Sequence, residues 1–409
     1  MPNPLSMVMD AQSLNTNGVH WLHTASNRYP QLTKDIEVDV VVVGAGLCGA
    51  STAWHLSQSD LRVALVEARG VAHGATGRNA GFILQGTAER YNRAITQMGR
   101  EKAKLIHHLS VENHRLMREW ITTEGLDCEY RQNGSLQLAS SAEEEQELVE
   151  SADLLLEDGF AADLLFGEEL GEPYLSAGFQ TGIVLPEDGE IHPAKFVEGV
   201  VHRAQHNGVQ VFTQTPVLNI ESNTNVEIQT PNGIIRAHMA VLCTNANLPQ
   251  LMPQYDNIIH PVRGQMLCTT PQEPLFTRPI YADHGFDYWR QKHDGRIVLG
   301  GWRNLDPETE VGYDETLHPD IQQSMTDFLQ RFKGLEQVKI ESRWSGIMGF
   351  SRDGLPLIGG VPGQDNLLVG AGFTGHGFGF AWLAGRSLSN LILDSEDDLA
   401  GVCTPQRFI

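Results

Sequence analysis

Positive charge is in short supply in this sequence, and that shortage already narrows its partners. Against 51 acidic residues stand 29 lysines and arginines, a formal net charge of −22. Nucleic-acid binding rests on basic patches that displace counterions from phosphates, so no nucleic-acid partner is expected. Cysteine is also scarce: Cys48, Cys128, Cys243, Cys268 and Cys403 are odd in number and scattered, with no CxxC pair or interleaved histidine. That spacing indicates neither a disulfide framework nor a zinc site, and no metal is expected. Long apolar runs are missing. The most hydrophobic window, residues 366–385, is broken by glycines and by His376, which suits a buried strand and helix start better than a membrane span. Residues 1–10 carry neither a basic n-region nor an apolar h-region, so no secretory leader is expected there, and a soluble, reducing, cytoplasmic setting is. No serine nucleophile elbow or paired-carboxylate signature is present.

What is there begins with an apolar run, Val38 to Val43, that breaks straight into Gly44-Ala45-Gly46-Leu47-Cys48-Gly49. A helical segment follows, then a second strand, residues 61–66, ending on Glu67-Ala68-Arg69. Gly44 suits a tight turn, Gly46 a close approach of backbone to pyrophosphate, and Gly49 close helix–strand packing. The helix start offers free amides to phosphate, and Glu67 stands where a carboxylate accepts hydrogen bonds from an adenosine ribose. A glycine turn alone is weak evidence. Strand, turn, helix, strand and terminal acid in succession point to a dinucleotide. Cys48 inside the turn reads as a small packing residue.

The chain's 409 residues, 41% of them apolar, allow a large core and two domains. Residues 1–35 read as a polar surface extension, 88–124 as a helical region, 130–139 as a strand, and 141–150 as a solvated acidic helix. Glu187 and Asp188 read as plain turn residues ahead of Ile191-His192-Pro193 and a helix.

Two further segments separate flavin from nicotinamide. One is Gly74-Ala75-Thr76-Gly77-Arg78-Asn79-Ala80-Gly81-Phe82. The other runs from Trp344-Ser345-Gly346 through Asp353-Gly354-Leu355-Pro356-Leu357-Ile358-Gly359 to Gly372-Phe373-Thr374-Gly375-His376-Gly377-Phe378. In these motifs and their order the chain resembles the D-amino-acid oxidase superfamily of FAD enzymes, which includes glycine and sarcosine oxidases. It looks most like the gamma-glutamylputrescine oxidases and related amine oxidases. The resemblance covers roughly residues 20–395.

It implies an α/β fold: a Rossmann-type FAD-binding domain with a parallel sheet (36–90, 185–255 and 340–400) interleaved with a mixed-sheet α+β substrate domain (91–184 and 256–339). Thr76 to Gly81, with Gly346, would line the flavin ring. Gly372, Gly375, His376, Gly377 and Phe378 would bring a helix start to its pyrimidine edge, where the dipole favours negative charge. Thr244, Asn245 and the Val217 backbone would lie near the adenosine or pyrophosphate. Arg78 and Asn79 are also readable as turn residues, His376 as a core histidine whose backbone matters more than its ring, and Arg352-Asp353 as a structural pair.

The chemistry so implied is hydride transfer from an amine carbon to flavin N5, hydrolysis of the imine, and reoxidation of FAD by molecular oxygen or another acceptor. Three departures qualify it. Glycine oxidases and D-amino-acid dehydrogenases carry an arginine for the substrate carboxylate in this W-x-G-x-R-P-like segment. Met348 stands there instead, and a thioether cannot replace a bidentate guanidinium. An amine, polyamine derivative or N-substituted substrate is therefore expected over a simple α-amino acid. Arg290, Arg303 and Arg263 remain as sources of a clamp. Gly346 matches the cysteine that tethers flavin in monomeric sarcosine oxidases, and Arg78 the histidine that does so in dimethylglycine dehydrogenases, so FAD is expected to be non-covalent. Val298 replaces the lysine that promotes reaction with oxygen, leaving oxidase against dehydrogenase open. Tyr288, Trp289, Trp302 and Phe350 are candidate pocket walls, Tyr288 first because a phenol can orient a polar substrate. A quinone- or carrier-linked dehydrogenase and a flavin-binding protein with little turnover remain as alternatives.

Overall fold

The computed structural model describes residues 18–22, 29–395 and 397–409. Residues 1–10, where no leader was expected, lie outside them. Among the described residues the main elements are two sheets flanked by helices. The first has six strands in the order Leu357–Val361, Gln364–Ala371, Met239–Leu242, Val40–Val43, Val63–Val66 and Gln210–Phe212. All its pairings are parallel except at the Leu357–Val361 edge. Its central strands are buried throughout, as a parallel sheet covered on both faces requires.

Two helices lie against each other beside this sheet. Leu47–Leu56 follows the glycine turn, and Gly377–Ile392 follows the last parallel strand. A Cβ on Gly385 would come 2.4 Å from that of Ser51, whose hydroxyl donates to the Trp382 carbonyl at 2.6 Å. Only a residue without a side chain permits that approach. Both helix starts emerge at the carboxyl ends of parallel strands, the end of such sheets where ligands bind.

The second sheet has eight strands, with Ile340–Ser351, Ile259–Thr269, Ile297–Gly301, Asp287–Gln291 and Ile280–Ala282 in succession, and Ser135–Leu138, Thr181–Leu185 and Asp163–Phe166 beyond. One pairing, Ile280–Ala282 with Ser135–Leu138, is parallel and the rest antiparallel. The fold is thus a parallel dinucleotide-type sheet joined to a mixed sheet.

Several expectations need correction. Residues 1–35 are not all surface: Trp21 is fully buried, its indole N–H donates to the Asn79 carbonyl at 2.6 Å, and Leu32 is buried too. The helical region starting at 88 is two helices, Tyr91–Met98 and Arg100–Glu124, broken at Gly99 (φ +83°). The 130–139 strand shortens to Ser135–Leu138, and the acidic helix extends over Ala142–Glu157. Ile340–Ser351, grouped from sequence with the dinucleotide segments, pairs along its length with Ile259–Thr269 in the mixed sheet. Arg352 and Asp353 are not a pair, because Asp353 binds Arg407 at 2.7 Å and Arg352 lies over the Phe408 ring.

Asp188 is no plain turn residue. It is fully buried and accepts hydrogen bonds from the Gln85 amide at 2.8 Å and the Ser135 hydroxyl at 2.6 Å. Burial pushes its carboxyl from the ordinary 3.8 up to about 8. The folded protein therefore keeps a proton that the unfolded chain releases across that interval. The resulting stabilisation is complete below the unfolded value and is lost as pH rises through the folded one. Asp188→Asn is expected to flatten the fall in stability between pH 4 and pH 8. Asp287, which burial also pushes up to about 8, retains part of the slope. Urea midpoints at pH 5 and pH 8 check this; an unchanged difference between them contradicts it.

Candidate cofactor and substrate site

The glycine turn is held by side chains as well as by its glycines. Gly44 adopts φ +104°, and a Cβ there would lie 2.6 Å from the Cys243 carbonyl. A Cβ on Gly49 would fall 1.8 Å from the Gly44 carbonyl, so the first helical turn sits directly on the strand end. Glu67 accepts from the Ala45 amide at 2.9 Å and the Arg69 amide at 2.8 Å, one through each oxygen. Each oxygen retains a second lone-pair direction. The Leu47 amide donates to the Thr76 hydroxyl at 3.1 Å, and a Cβ on Gly46 would lie 3.1 Å from the same oxygen. Glycine turn and 74–81 loop thus meet through Thr76. Cys48 and Cys243 are buried behind the turn with their sulfurs 3.6 Å apart.

The strand end carrying Glu67, Ala68 and Arg69 is flanked by 213–217: the Thr215 amide donates to the Glu67 carbonyl and the Gln214 amide to that of Arg69, both at 2.9 Å. Half-buried Val217 follows this stretch. Thr244 sits across the turn, its amide nitrogen 3.6 Å from where a Gly44 Cβ would be. Its buried hydroxyl has no hydrogen-bond partner among the described residues. Such an orphan costs about 1–3 kcal/mol and marks a place where a polar ligand fits.

In the 74–81 loop the structure reassigns two residues. The Arg78 guanidinium, expected to line the flavin, donates to the His73 carbonyl at 3.0 Å and the Ser345 carbonyl at 2.9 Å, and pairs with Glu315 at 2.9 Å. Burial lowers its pKa to about 10. Glu315 also binds Arg69 at 2.7 Å, tying this loop to the glycine turn's second strand. Asn79 closes its own turn, donating to the Ala75 and Thr76 carbonyls and accepting from the Gly81 amide at 2.7 Å. Both side chains fasten the loop to itself and to its neighbours. Gly346 packs on this loop: a Cβ there would come 2.8 Å from the Arg78 Cβ.

The late turn is fastened by Asn245, whose Oδ1 accepts from the Gly372 amide at 2.9 Å. Gly375 follows, then His376, the N-cap of Gly377–Ile392. The first amides of a helix lack intrahelical acceptors, so Gly377 and Phe378 present donors at a positive dipole end. Asn113 braces this start, donating to the Phe378 carbonyl at 2.8 Å and accepting from the Leu383 amide at 2.9 Å. His376 is kept neutral: burial lowers its pKa to about 4.

A face of aromatic and thioether side chains lies against this turn. Met348 Sδ and the Phe350 ring lie 3.8 and 3.9 Å from where a Gly375 Cβ would be. Tyr281 stands opposite Tyr288 in the strand register, their rings 5.7 Å apart, and Tyr281 stacks parallel to His376 at 6.3 Å. Phe82 meets both tyrosines edge-on. Burial pushes the Tyr288 phenol up to about 12, so it is neutral, and among the described residues its hydroxyl donates only to the Met266 sulfur at 3.4 Å. Strand alternation excludes a neighbour: Trp289 points the other way, fully buried among Phe276, Phe328 and Phe332, and Trp302 packs on Phe328. These two tryptophans are core, not pocket. Sequence reasoning missed Tyr281 and Asn113, and took Phe82 only as the end of its motif, not as a neighbour of the two tyrosines. Tyr281 is marked only by its register with Tyr288, and helical spacing alone did not distinguish Asn113.

A parallel-sheet turn, an acid at the second strand and a late amide-bearing helix start define a dinucleotide-dependent oxidoreductase. Comparison with known proteins makes this specific. The model of the family described as FAD dependent oxidoreductase matches residues 39–391. The chain is 27% identical over 363 residues to a glycine oxidase of Bacillus licheniformis, covering 87% of this chain and 93% of that one. It is 25% identical to the gamma-glutamylputrescine oxidoreductase of Escherichia coli, covering 90% of this chain and 87% of that protein. Its structure resembles that of glycine oxidase from Geobacillus kaustophilus with a TM-score of 0.77 at 22% identity, covering 90% of this chain and 99% of that one. The chain belongs to this family of FAD-dependent oxidoreductases, the D-amino-acid oxidase superfamily. Among the described residues no helix is long and apolar enough to cross a membrane.

The orphan hydroxyl, the spare lone pairs of Glu67 and the free amides fit an FAD. Thr244→Val is expected to stabilise the FAD-free protein by about 1 kcal/mol, since it removes an unpaired buried hydroxyl, and to weaken FAD binding roughly fivefold to tenfold. Thermal unfolding without FAD and a fluorescence titration with FAD measure the two effects, whose opposite signs separate a ligand role from a packing role.

Proposed function

We propose that the chain oxidises a C–N bond of an amine or amino-acid-like substrate, using a non-covalently held FAD and yielding an imine that water hydrolyses. The observation that carries this reading is the cluster of aromatic and thioether side chains between the late helix start and the mixed sheet, Tyr281, Tyr288, Met348, Phe350 and Phe82, beside a neutral His376. Bound FAD supplies the two-electron acceptor, and no nucleophile or strong base is needed from the protein. None of these walls bears a carboxylate. An amine held here therefore gains nothing from remaining an ammonium, and the neutral amine is the form whose carbon can give up hydride. Aromatic and thioether groups exclude water, the Tyr288 phenol offers a hydrogen bond that orients the substrate, and the backbone at Gly375 and His376 bounds the turn. The names of the relatives, a glycine oxidase and a gamma-glutamylputrescine oxidoreductase, support the amine reading.

Non-covalent attachment is supported by the Arg78 Cβ filling the space that a side chain at Gly346 would need. Met348, where the resembled oxidases place an arginine, favours an amine, polyamine derivative or N-substituted substrate over a free α-amino acid. The final electron acceptor is open to a second reading. Val298 stands where a lysine would promote reaction with oxygen and offers no cation there, so a quinone or carrier stands beside oxygen as acceptor.

Purified protein mixed anaerobically with D-amino acids, glycine, sarcosine, proline, putrescine and gamma-glutamylputrescine is expected to lose its flavin colour with at least one amine. Substituted amines are expected to act faster than plain D-amino acids. Bleaching by none of them, or best by plain D-amino acids, contradicts the proposal or its Met348 argument respectively. Acid precipitation is expected to release all flavin into the supernatant. Peroxide formed in air, against reduction of an artificial acceptor, distinguishes oxidase from dehydrogenase.

A further inference from the structure

Residues 18–22, ahead of the dinucleotide sheet, are built into the mixed sheet and into the 74–81 loop at once. A Cβ on Gly18 (φ +105°) would meet the Arg343 carbonyl at 2.7 Å, so the chain lies directly on the Ile340–Ser351 strand there. Lys292, just past the Asp287–Gln291 strand, donates to the His20 ring nitrogen Nε2 at 2.9 Å. Leu22 packs on the loop itself, its Cδ2 standing 2.8 Å from where a Gly77 Cβ would be. Trp21 lies between these anchors, edge-on to the His192 ring at 4.9 Å and covered by the Arg290 guanidinium at 5.0 Å and the Lys292 ammonium at 5.4 Å. These contacts fix the direction of its indole N–H, which reaches the Asn79 carbonyl.

A second indole does the same one residue earlier. Buried Trp344, on a strand of the mixed sheet, donates to the Arg78 carbonyl at 2.9 Å. The described residues contain no cis peptide bond, and a trans peptide points its C=O and N–H in opposite directions. Two carbonyls drawn toward tryptophans therefore turn two successive amides, those of Asn79 and Ala80, away from them. Neither amide has an acceptor among the described residues, although Ala80 is buried. Buried amides without partners are rare, and successive N–H groups make a concave donor site for negative charge. The same loop takes the Leu47 amide through Thr76, which sets these donors beside the glycine turn.

We propose that residues 18–22 belong to the cofactor site: Trp21, acting with Trp344, is a positioning residue that turns the Asn79 and Ala80 amides onto the flavin ring, where they favour the negative charge of its reduced form. This goes beyond the amine-oxidation reading and requires only that FAD binds. The test uses the full chain with FAD bound, reduced stepwise without air beside a dye of known potential, with the flavin absorption bands recorded and FAD affinity measured by titration. Trp21→Phe keeps a ring among His192, Arg290 and Lys292 and removes the N–H donor. It is expected to weaken FAD binding about fivefold to tenfold, to shift the absorption bands of the oxidised flavin, and to make the midpoint potential more negative, since the reduced form loses more than the oxidised one. Trp344→Phe is expected to act in the same direction. Trp21→benzothienylalanine, which has the shape of tryptophan without the N–H, is the second variant and should match Trp21→Phe in potential and spectrum. Native potential and absorption bands in the benzothienylalanine protein overturn the proposal. Weaker FAD binding with both unchanged also overturns it, because Trp21 then only packs. Native flavin properties in the variants with amine bleaching intact sink the Trp21 assignment alone, whereas altered potential and spectrum with no amine able to bleach the flavin sink amine oxidation alone.

Discussion

Contact between backbones with no side chain between them is the constraint on which the rest depends. The Leu47–Leu56 and Gly377–Ile392 helices come together at Gly385 and Ser51, and the first of them rests on its own strand at Gly49 and Gly44. These contacts bring two helix starts, more than three hundred residues apart in the chain, to one end of a parallel sheet. Partial positive charge at both ends, undiluted by side chains, suits a cofactor with a pyrophosphate at one end and a charge-accepting ring at the other. Bulk added at either contact separates the helices and with them the two halves of the site.

Arginine then does much of the holding. Arg78 joins the 74–81 loop to the mixed sheet through Ser345 and shares Glu315 with Arg69, so the two sheets are strapped across the cofactor region. Arg290 links Glu190, Ile191 and Gly81, fixing the far end of the same loop. Buried charges of this kind are tolerated because each has a paired acid and carbonyl acceptors; their geometry specifies how the sheets meet more than it adds stability. Arg263 is paired too, with Glu310, whereas the Arg303 guanidinium lies over the Phe286 and Phe350 rings and has no carboxylate pair among the described residues.

The dinucleotide half was largely legible from local sequence. Val40–Val43, the glycines, Glu67 and the turn at Gly375 are close in sequence to what they act with, or belong to motifs whose spacing encodes their geometry. The pocket was less so. Tyr288 and Phe350 were read from type alone, together with Trp289 and Trp302, and only strand direction separated the two pairs. Tyr281 became visible only as the register partner of Tyr288. Trp21 and Asp188 were misjudged because a tryptophan in a polar stretch and an acid in a turn look like surface until a distant segment covers them.

Sequence by itself determined the cofactor class, the parallel sheet and the late helix start, because those rest on backbone geometry that glycine spacing and apolar runs dictate over a few residues. Tertiary structure alone decided which charged and aromatic side chains are engaged and which are free. Arg78, Arg290 and Arg303 are chemically identical in the sequence, yet folding places carbonyls and carboxylates around the first two and aromatic faces around the third.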